Sequence, residues 1–306
     1  MTETDTDDST GPDDRQPLPG AAVAGTARQV FAESRLALLG LAITVAVIVV
    51  AALAPVLAPY DPTAQNIAEA QLVGPSLEHP MGTDQLGRDV LSRVLYGAQL
   101  SVQVGVIAVG VAILAGVPLG LVAGFYGGYT DEAVMRGMDV VFSFPAILLA
   151  IAMVAILGQS TVNVMLAIGI TYTPIFARVT RSGVLSVREE TYIDAARAIG
   201  ASNRSIIARD VLPNVVAPII VQATVSLAFA ILAESALSFL GLGAPPPAPS
   251  WGRMLSESRN FMQSAPWTAL FPGLAIMITI LGFNFLGDGL RDTLDPRSDT
   301  ESGGSI

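Results

Sequence analysis

Few side chains in this 306-residue sequence could do chemistry, and their types exclude more than they permit. There is one histidine, His79, and no cysteine. Disulfides, thiolate metal sites, cysteine nucleophiles and two-histidine metal sites are therefore excluded. All sixteen basic residues are arginine. A P-loop needs its lysine to reach the nucleotide phosphates. The chain is thus no P-loop ATPase, and any ATP that drives it must be hydrolysed by another subunit. The reading that remains is of residues that bind rather than catalyse.

The stretch most suited to binding is REETYIDAARAIGASNRSIIARDVLPN, Arg188–Asn214. On a helix over Thr191–Ile199, Tyr192, Ala195, Ala196 and Ile199 form one apolar stripe, and Asp194 and Arg197 pair on another side. The two adjacent alanines leave room for close approach. Gly200 suits the helix C-cap, and Ser202 suits the N-cap of a second helix carrying Ile206, Ile207 and Val211. The first helix has two to three turns, too few to be stable alone in water, so its stripe must be held by something. That holder is either the chain's own membrane domain or a cytoplasmic partner for which the helix is a docking knob.

The elements that position this stretch are apolar. Hydrophobic residues make up 52% of the chain and charged ones 14%, against about a quarter charged in a soluble domain. The spacing predicts an all-α, polytopic membrane protein with six transmembrane helices, over about 36–58, 99–125, 140–157, 161–177, 213–233 and 267–287. The 38 uncharged residues between Asp139 and Arg178 are too many for one span, and GQSTVN (Gly158–Asn163) divides them. Gly105, Gly110, Gly116, Gly120 and Gly124 would let the second span pack closely on a neighbour. The first span is read as an uncleaved anchor, because an acidic region precedes it and it exceeds a signal-peptide core. With the N-terminus inside, the inner segments carry twelve Arg and the outer loops four (Arg88, Arg93, Arg253, Arg259). The positive-inside rule then puts both termini, and the 188–214 stretch, in the cytoplasm. Residues 1–33, with six acids among the first fourteen, read as a disordered acidic tail, and 298–306 as a flexible one.

Two outer loops are long. In residues 60–97, Val90, Leu91, Val94 and Leu95 recur opposite Arg88, Asp89, Ser92 and Arg93, a pattern for a helix lying in the membrane interface. Here His79, Asp84, Arg88 and Asp89 are expected to cap and brace the loop, with contact to an outer partner as the alternative. The loop of about 239–266 contains a proline run that cannot be regular helix. Glu234, placed just beyond the fifth span, and Trp251 are further candidates for outer-loop or partner contact.

The segment DAARAIGASNRSIIARDVLP resembles the EAA signature of ABC-importer permeases, through Asp194, Ala195, Ala196, Gly200, Leu212 and Pro213. Asp194 replaces the usual Glu, and Asp210 stands at a position that is often aliphatic. Three further segments resemble the dipeptide/oligopeptide/nickel branch of that family: HPMGTDQLGRDVLSRVLYGAQLSV (His79–Val102), AESALSFLGLGAPPPAPSWGRML (Ala233–Leu255) and NFLGDGLRDTLDPR (Asn284–Arg297). The order and spacing over about residues 30–297 are most similar to the second permease subunit of such importers.

The resemblance implies the type I ABC-importer permease fold in the cell membrane. It also implies a second, homologous permease, two cytoplasmic ATPases that bind ATP and magnesium, and an extracytoplasmic substrate-binding protein. This chain itself would bind no cofactor and no nucleic acid. Tyr192, Asp194, Ala195, Ala196, Arg197, Ile199 and Gly200 would form the coupling helix seated on one ATPase, and the substrates would be di- or oligopeptides. Nickel or another small solute is the alternative within the family. A stand-alone secondary transporter would need paired ionisable groups within its spans, which these spans lack. A regulator that does not transport is disfavoured by the matched outer loops.

Overall fold

The computed structural model describes residues 35–294. The expected acidic tail over 1–33 and C-terminal tail over 298–306 lie outside the described residues. Among the described residues the structure is helical, without strands, and its one β-type pairing is an isolated bridge between Thr83 and Asp89. The helices are α1 (Arg35–Leu57), α2 (Ile67–Ala70), α3 (Val90–Tyr126), α4 (Gly128–Phe142), α5 (Ala146–Leu157), α6 (Thr161–Arg188), α7 (Thr191–Ala198), α8 (Asn203–Ile206), α9 (Leu212–Phe239), α10 (Trp251–Ser258) and α11 (Trp267–Leu294). A π turn, Ile207–Val211, joins α8 to α9. Five helical segments are long and apolar enough to cross a membrane, and a bent pair makes a sixth span if its two helices count as one.

The central helix is α3, which packs on α6, α1 and α9, while α11 closes the bundle against α1 and α9. Small residues set the closest contact. A Cβ at Gly116 would lie 2.5 Å from the Thr173 carbonyl oxygen, and one at Gly124 would lie 2.8 Å from Val184 Cβ. Gly120 fills the turn between them against Ala177 and Thr180. Without lipid-driven attraction between apolar helices, backbone approach of this kind supplies the packing. Gly105 instead meets Ile231 of α9, and Gly110 meets nothing, so the glycines do not form one face.

Three expected boundaries change. The second span does not begin at 99: residues 90–95 are the first turns of a single 37-residue helix, α3. They form no separate interface helix, because Ser92 and Arg93, read as its polar face, are buried against the outer loops. The expected span over 140–157 is two helices, α4 and α5, bent by 85° across Ser143–Pro145. Pro145 has no N–H to continue the ladder, which ends α4 one turn earlier. The amphipathic α4, with no buried residue, is held to α6 by Asp131–Arg181 at 2.5 Å and Asp139–Arg178 at 2.7 Å. The helix of the fifth span runs on to Phe239, which draws Glu234 inside it.

The helix through Pro174 is uninterrupted, despite the polar run before it. Thr171 and Thr173 return their hydroxyls to the Ile168 and Gly169 carbonyls, which hides their polarity from the surroundings.

Candidate functional site

The segment 189–214 folds as a hairpin knob at one end of the bundle. Its turn is built by local chemistry. Gly200 adopts φ +82°, a left-handed conformation that costs a glycine little. Its N–H bonds the Arg197 carbonyl at 3.0 Å, and the Ala201 N–H bonds the Ala196 carbonyl at 3.0 Å, which together close the end of α7. Ser202 then caps α8 by accepting from the Ser205 N–H at 3.4 Å.

Ile193, absent from the sequence-derived stripe, anchors the knob. It is fully buried with Ile206 and Val211, in the same core as Phe125, Val184 and Val215 from α3, α6 and α9. Ala196 sits half-buried against that core. The remainder of the stripe faces outward: Ala195 is exposed, Tyr192 is 45% exposed and Ile199 is 86% exposed. Asp194 and Arg197 pair at 3.2 Å on the surface, and the Arg197 guanidinium lies 5.6 Å from the Phe125 ring. Burial, aided by the nearby Glu190 and Asp210 carboxylates, pushes the Tyr192 phenol up, so it stays a neutral hydroxyl. The signal that could have found Ile193 is its i, i+3 spacing to Ala196, the stripe residue that is half-buried.

At the other end of the bundle, loops 58–89 and 240–266 interlock. Asp84 Oδ1 accepts from the Leu86 and Arg88 backbone N–H groups, and its Oδ2 accepts from Arg88 Nε at 2.7 Å. Asp89 caps α3 by accepting from the Ser92 N–H and hydroxyl, both at 2.7 Å, and meets His79 Nδ1 at 2.9 Å. Glu257 of α10, which the sequence reading missed, joins the two loops. Its Oε2 accepts from Arg88 at 2.7 Å and Arg93 at 3.2 Å, and its Oε1 from Arg253 at 3.2 Å. Trp251 is buried with its indole N–H donated to the Val94 carbonyl at 2.9 Å, in space that Gly97 leaves open on α3. Asp84, Arg88 and Asp89 are all buried within the chain, and His79 is half-buried.

Glu234 lies within the helix of the fifth span, five residues before its end. It is buried in α9, where Oε1 accepts from the Ser238 hydroxyl at 2.6 Å and the Ser250 hydroxyl at 3.1 Å. Ser250 also caps α10, so Glu234 fastens the second outer loop to the bundle. Among the described residues no group of three or more His, Asp or Glu side chains could hold a metal ion. A cavity between α5, α6 and α9 is lined by apolar groups, with Thr171 and Tyr172 the polar exceptions.

Residues 116–300 match the family described as the binding-protein-dependent transport system inner membrane component, and residues 24–75 match the N-terminal transmembrane domain of oligopeptide transport permease C. The chain is 53% identical over 265 residues to the dipeptide transport system permease protein of Alkalihalophilus pseudofirmus, covering 87% of each. It is 48% identical over 269 residues to the glutathione transport system permease protein of Escherichia coli, covering 87% of this chain and 88% of that one. Among solved structures it resembles a chain of the inward-facing MetNI methionine ABC transporter, with a TM-score of 0.55 and 18% identity over 66% of this chain and 96% of that one. At that identity the likeness bears on fold alone, which is that of a type I ABC-importer permease.

Proposed function

The chain belongs to the binding-protein-dependent transport inner membrane component family, in its peptide/nickel branch, and from that premise we propose that it forms half of the translocation pathway of an ATP-driven importer of short peptides. Support for the substrate class comes from the two relatives, one named for dipeptides and the other for glutathione, itself a tripeptide. In this reading a second, homologous permease forms the other half. Two ATPases in the cytoplasm bind ATP and magnesium, and a binding protein delivers the peptide from outside. Both termini lie in the cytoplasm, the α4–α5 pair supplies the third of six spans, and the 189–214 knob points inward.

The observation that carries the docking part is an apolar face that none of the described residues covers. Ile193 fixes α7 to the bundle while Tyr192, Ala195 and Ile199 remain outside. A short helix exposes such a stripe at a cost unless a partner covers it. An ATPase groove seated there, with Asp194, Ala196, Arg197 and Gly200 shaping the contact, would pass ATP-driven closure to the bundle as rigid-body motion. The outer-loop groups His79, Asp84, Arg88, Asp89, Glu234 and Trp251 serve in this reading to hold the cap that meets the binding protein.

The test is purification of the assembly carrying Ala195→Arg, with uptake of labelled dialanine into proteoliposomes. We expect the variant to reach the membrane, to lose its ATPase subunits and to take up no peptide. Retention of the ATPases with normal uptake would overturn the docking role. Uptake of a nickel chelate but not of dialanine by the unaltered assembly would move the substrate to the other arm of the family.

A further inference from the structure

Between the knob and α9 the backbone ladder changes spacing. Through the π turn Ile207–Val211 the bonds reach five residues back, as from the Leu212 N–H to the Ile207 carbonyl. Pro213 follows and has no N–H to give. Asn214 stands one residue later, and its side-chain amide does two things at once. One Nδ2 hydrogen goes to the Asp210 carbonyl at 2.6 Å, within the segment where the ladder shifts. The other goes to the Tyr192 hydroxyl at 3.3 Å, on the coupling helix. An amide NH2 has two donors, so both bonds form together.

The consequence is mechanical. Ile193 packs the inner face of α7 into the core, but apolar packing alone lets a short helix roll about its long axis. A directional bond from its outer face to the root of α9 opposes that roll. Asp194–Arg197 lies within α7 itself and cannot do so. The Arg197–Phe125 contact reaches α3, and the Tyr192–Asn214 bond reaches α9.

We propose that Asn214 is a positioning residue for transport, tying the roll of the coupling helix to the lower end of α9 through the Tyr192 hydroxyl, while bracing the Asp210 carbonyl where the helix changes register. This rests on α7 being the coupling helix. Asn214 acts through Tyr192 and fixes how far movement of α7 is passed on rather than lost as rotation of the knob.

The test uses the full assembly in proteoliposomes under conditions where the unaltered protein takes up labelled dialanine. The readout is peptide moved per ATP hydrolysed. Asn214→Leu keeps approximate side-chain size but removes both donors, whereas Tyr192→Phe removes only the tie and leaves the brace. Each should lower the ratio by roughly 2- to 10-fold, the span of one net hydrogen bond. The double variant should be no worse than Asn214→Leu alone, because both act through one bond. Asn214→Leu should keep its ATPase subunits through purification. A fold that is merely weakened would lower the yield of assembly and leave the ratio intact. An unchanged ratio in Tyr192→Phe, or multiplicative losses in the double variant, would overturn the tie while leaving the coupling-helix reading standing. Ala195→Arg that still held its ATPases would remove that reading, and this inference with it.

Discussion

The two ends of the bundle handle polarity in opposite ways. At the end closed by loops 58–89 and 240–266, Arg88 and Arg93 are buried, and their partners Asp84 and Glu257 come from the same chain. On the knob, the one ion pair within α7, Asp194–Arg197, is exposed, and the large apolar side chain of Ile199 is 86% exposed. Exposed pairs contribute about 0–1 kcal/mol, whereas breaking a buried one leaves a charge without a partner. The first end is thus paired within one chain, whereas none of the described residues covers Ile199 on the knob. In the proposed assembly, the closed turn at Gly200 and the exposed Ile199 beside it would be the part that a partner covers.

That contrast is most directly broken at Glu257. Its two carboxylate oxygens serve three arginines from both loops, two of them almost fully buried. Glu257→Ala leaves Asp84 as the one carboxylate facing both Arg88 and Arg93 and should cost about 3 kcal/mol. We expect a clear fall in the thermal midpoint of the purified assembly and poor yield. A normal midpoint combined with failure to engage the binding protein would make the network an interface instead, and the two ends would then be alike.

Much of this was legible in the sequence where local rules decide. Gly200 and Ser202 were readable as caps because each acts on backbone within a few residues. The uncharged runs marked the membrane-crossing helices for the same reason. Boundaries that depend on tertiary contact were not legible. Ser92 and Arg93 read as the wet face of an interface helix, because nothing in the local sequence says that Glu257, far along the chain, will cover Arg93. Glu234 read as interfacial because a carboxyl ends an apolar run, but the helix runs on past it and two serine hydroxyls serve its buried oxygen. Ile193 was missed because the stripe was drawn through Tyr192 and Ile199, and both faces of α7 carry apolar groups. Only packing shows which is inward.

Ile193 sharpens the contrast from the knob side, since it is the knob residue that behaves like the outer cap. Ile193→Ala leaves a cavity beneath α7 and should cost about 2–4 kcal/mol, somewhat less if the knob collapses into the space. Expected outcomes are a lowered thermal midpoint and a reduced ratio of peptide moved to ATP hydrolysed. An unaltered midpoint would mean that the knob floats on the bundle, and Ile206 and Val211 would then have to carry the attachment.

The smallest effect on stability is expected at the most exposed large apolar residue of the knob, and there it discriminates best. Ile199 has almost its whole side chain in solvent, so Ile199→Glu gives up little buried area and should move the stability of the chain alone by no more than about 0.5 kcal/mol. It has backbone roles in closing α7, but these use its N–H to the Ala195 carbonyl and survive the substitution. If a partner covers the stripe, the same change places a carboxylate in an apolar contact and ATPase retention on purification should be lost. Ile193→Ala and Ile199→Glu thus form a crossed pair, six residues apart on one short helix: the first weakens the fold and only secondarily the coupling, the second leaves the fold and removes the contact. Equal losses of stability in both would mean that α7 has no outward face in the assembled protein, and the asymmetry between the two ends of the bundle would belong to the isolated chain alone.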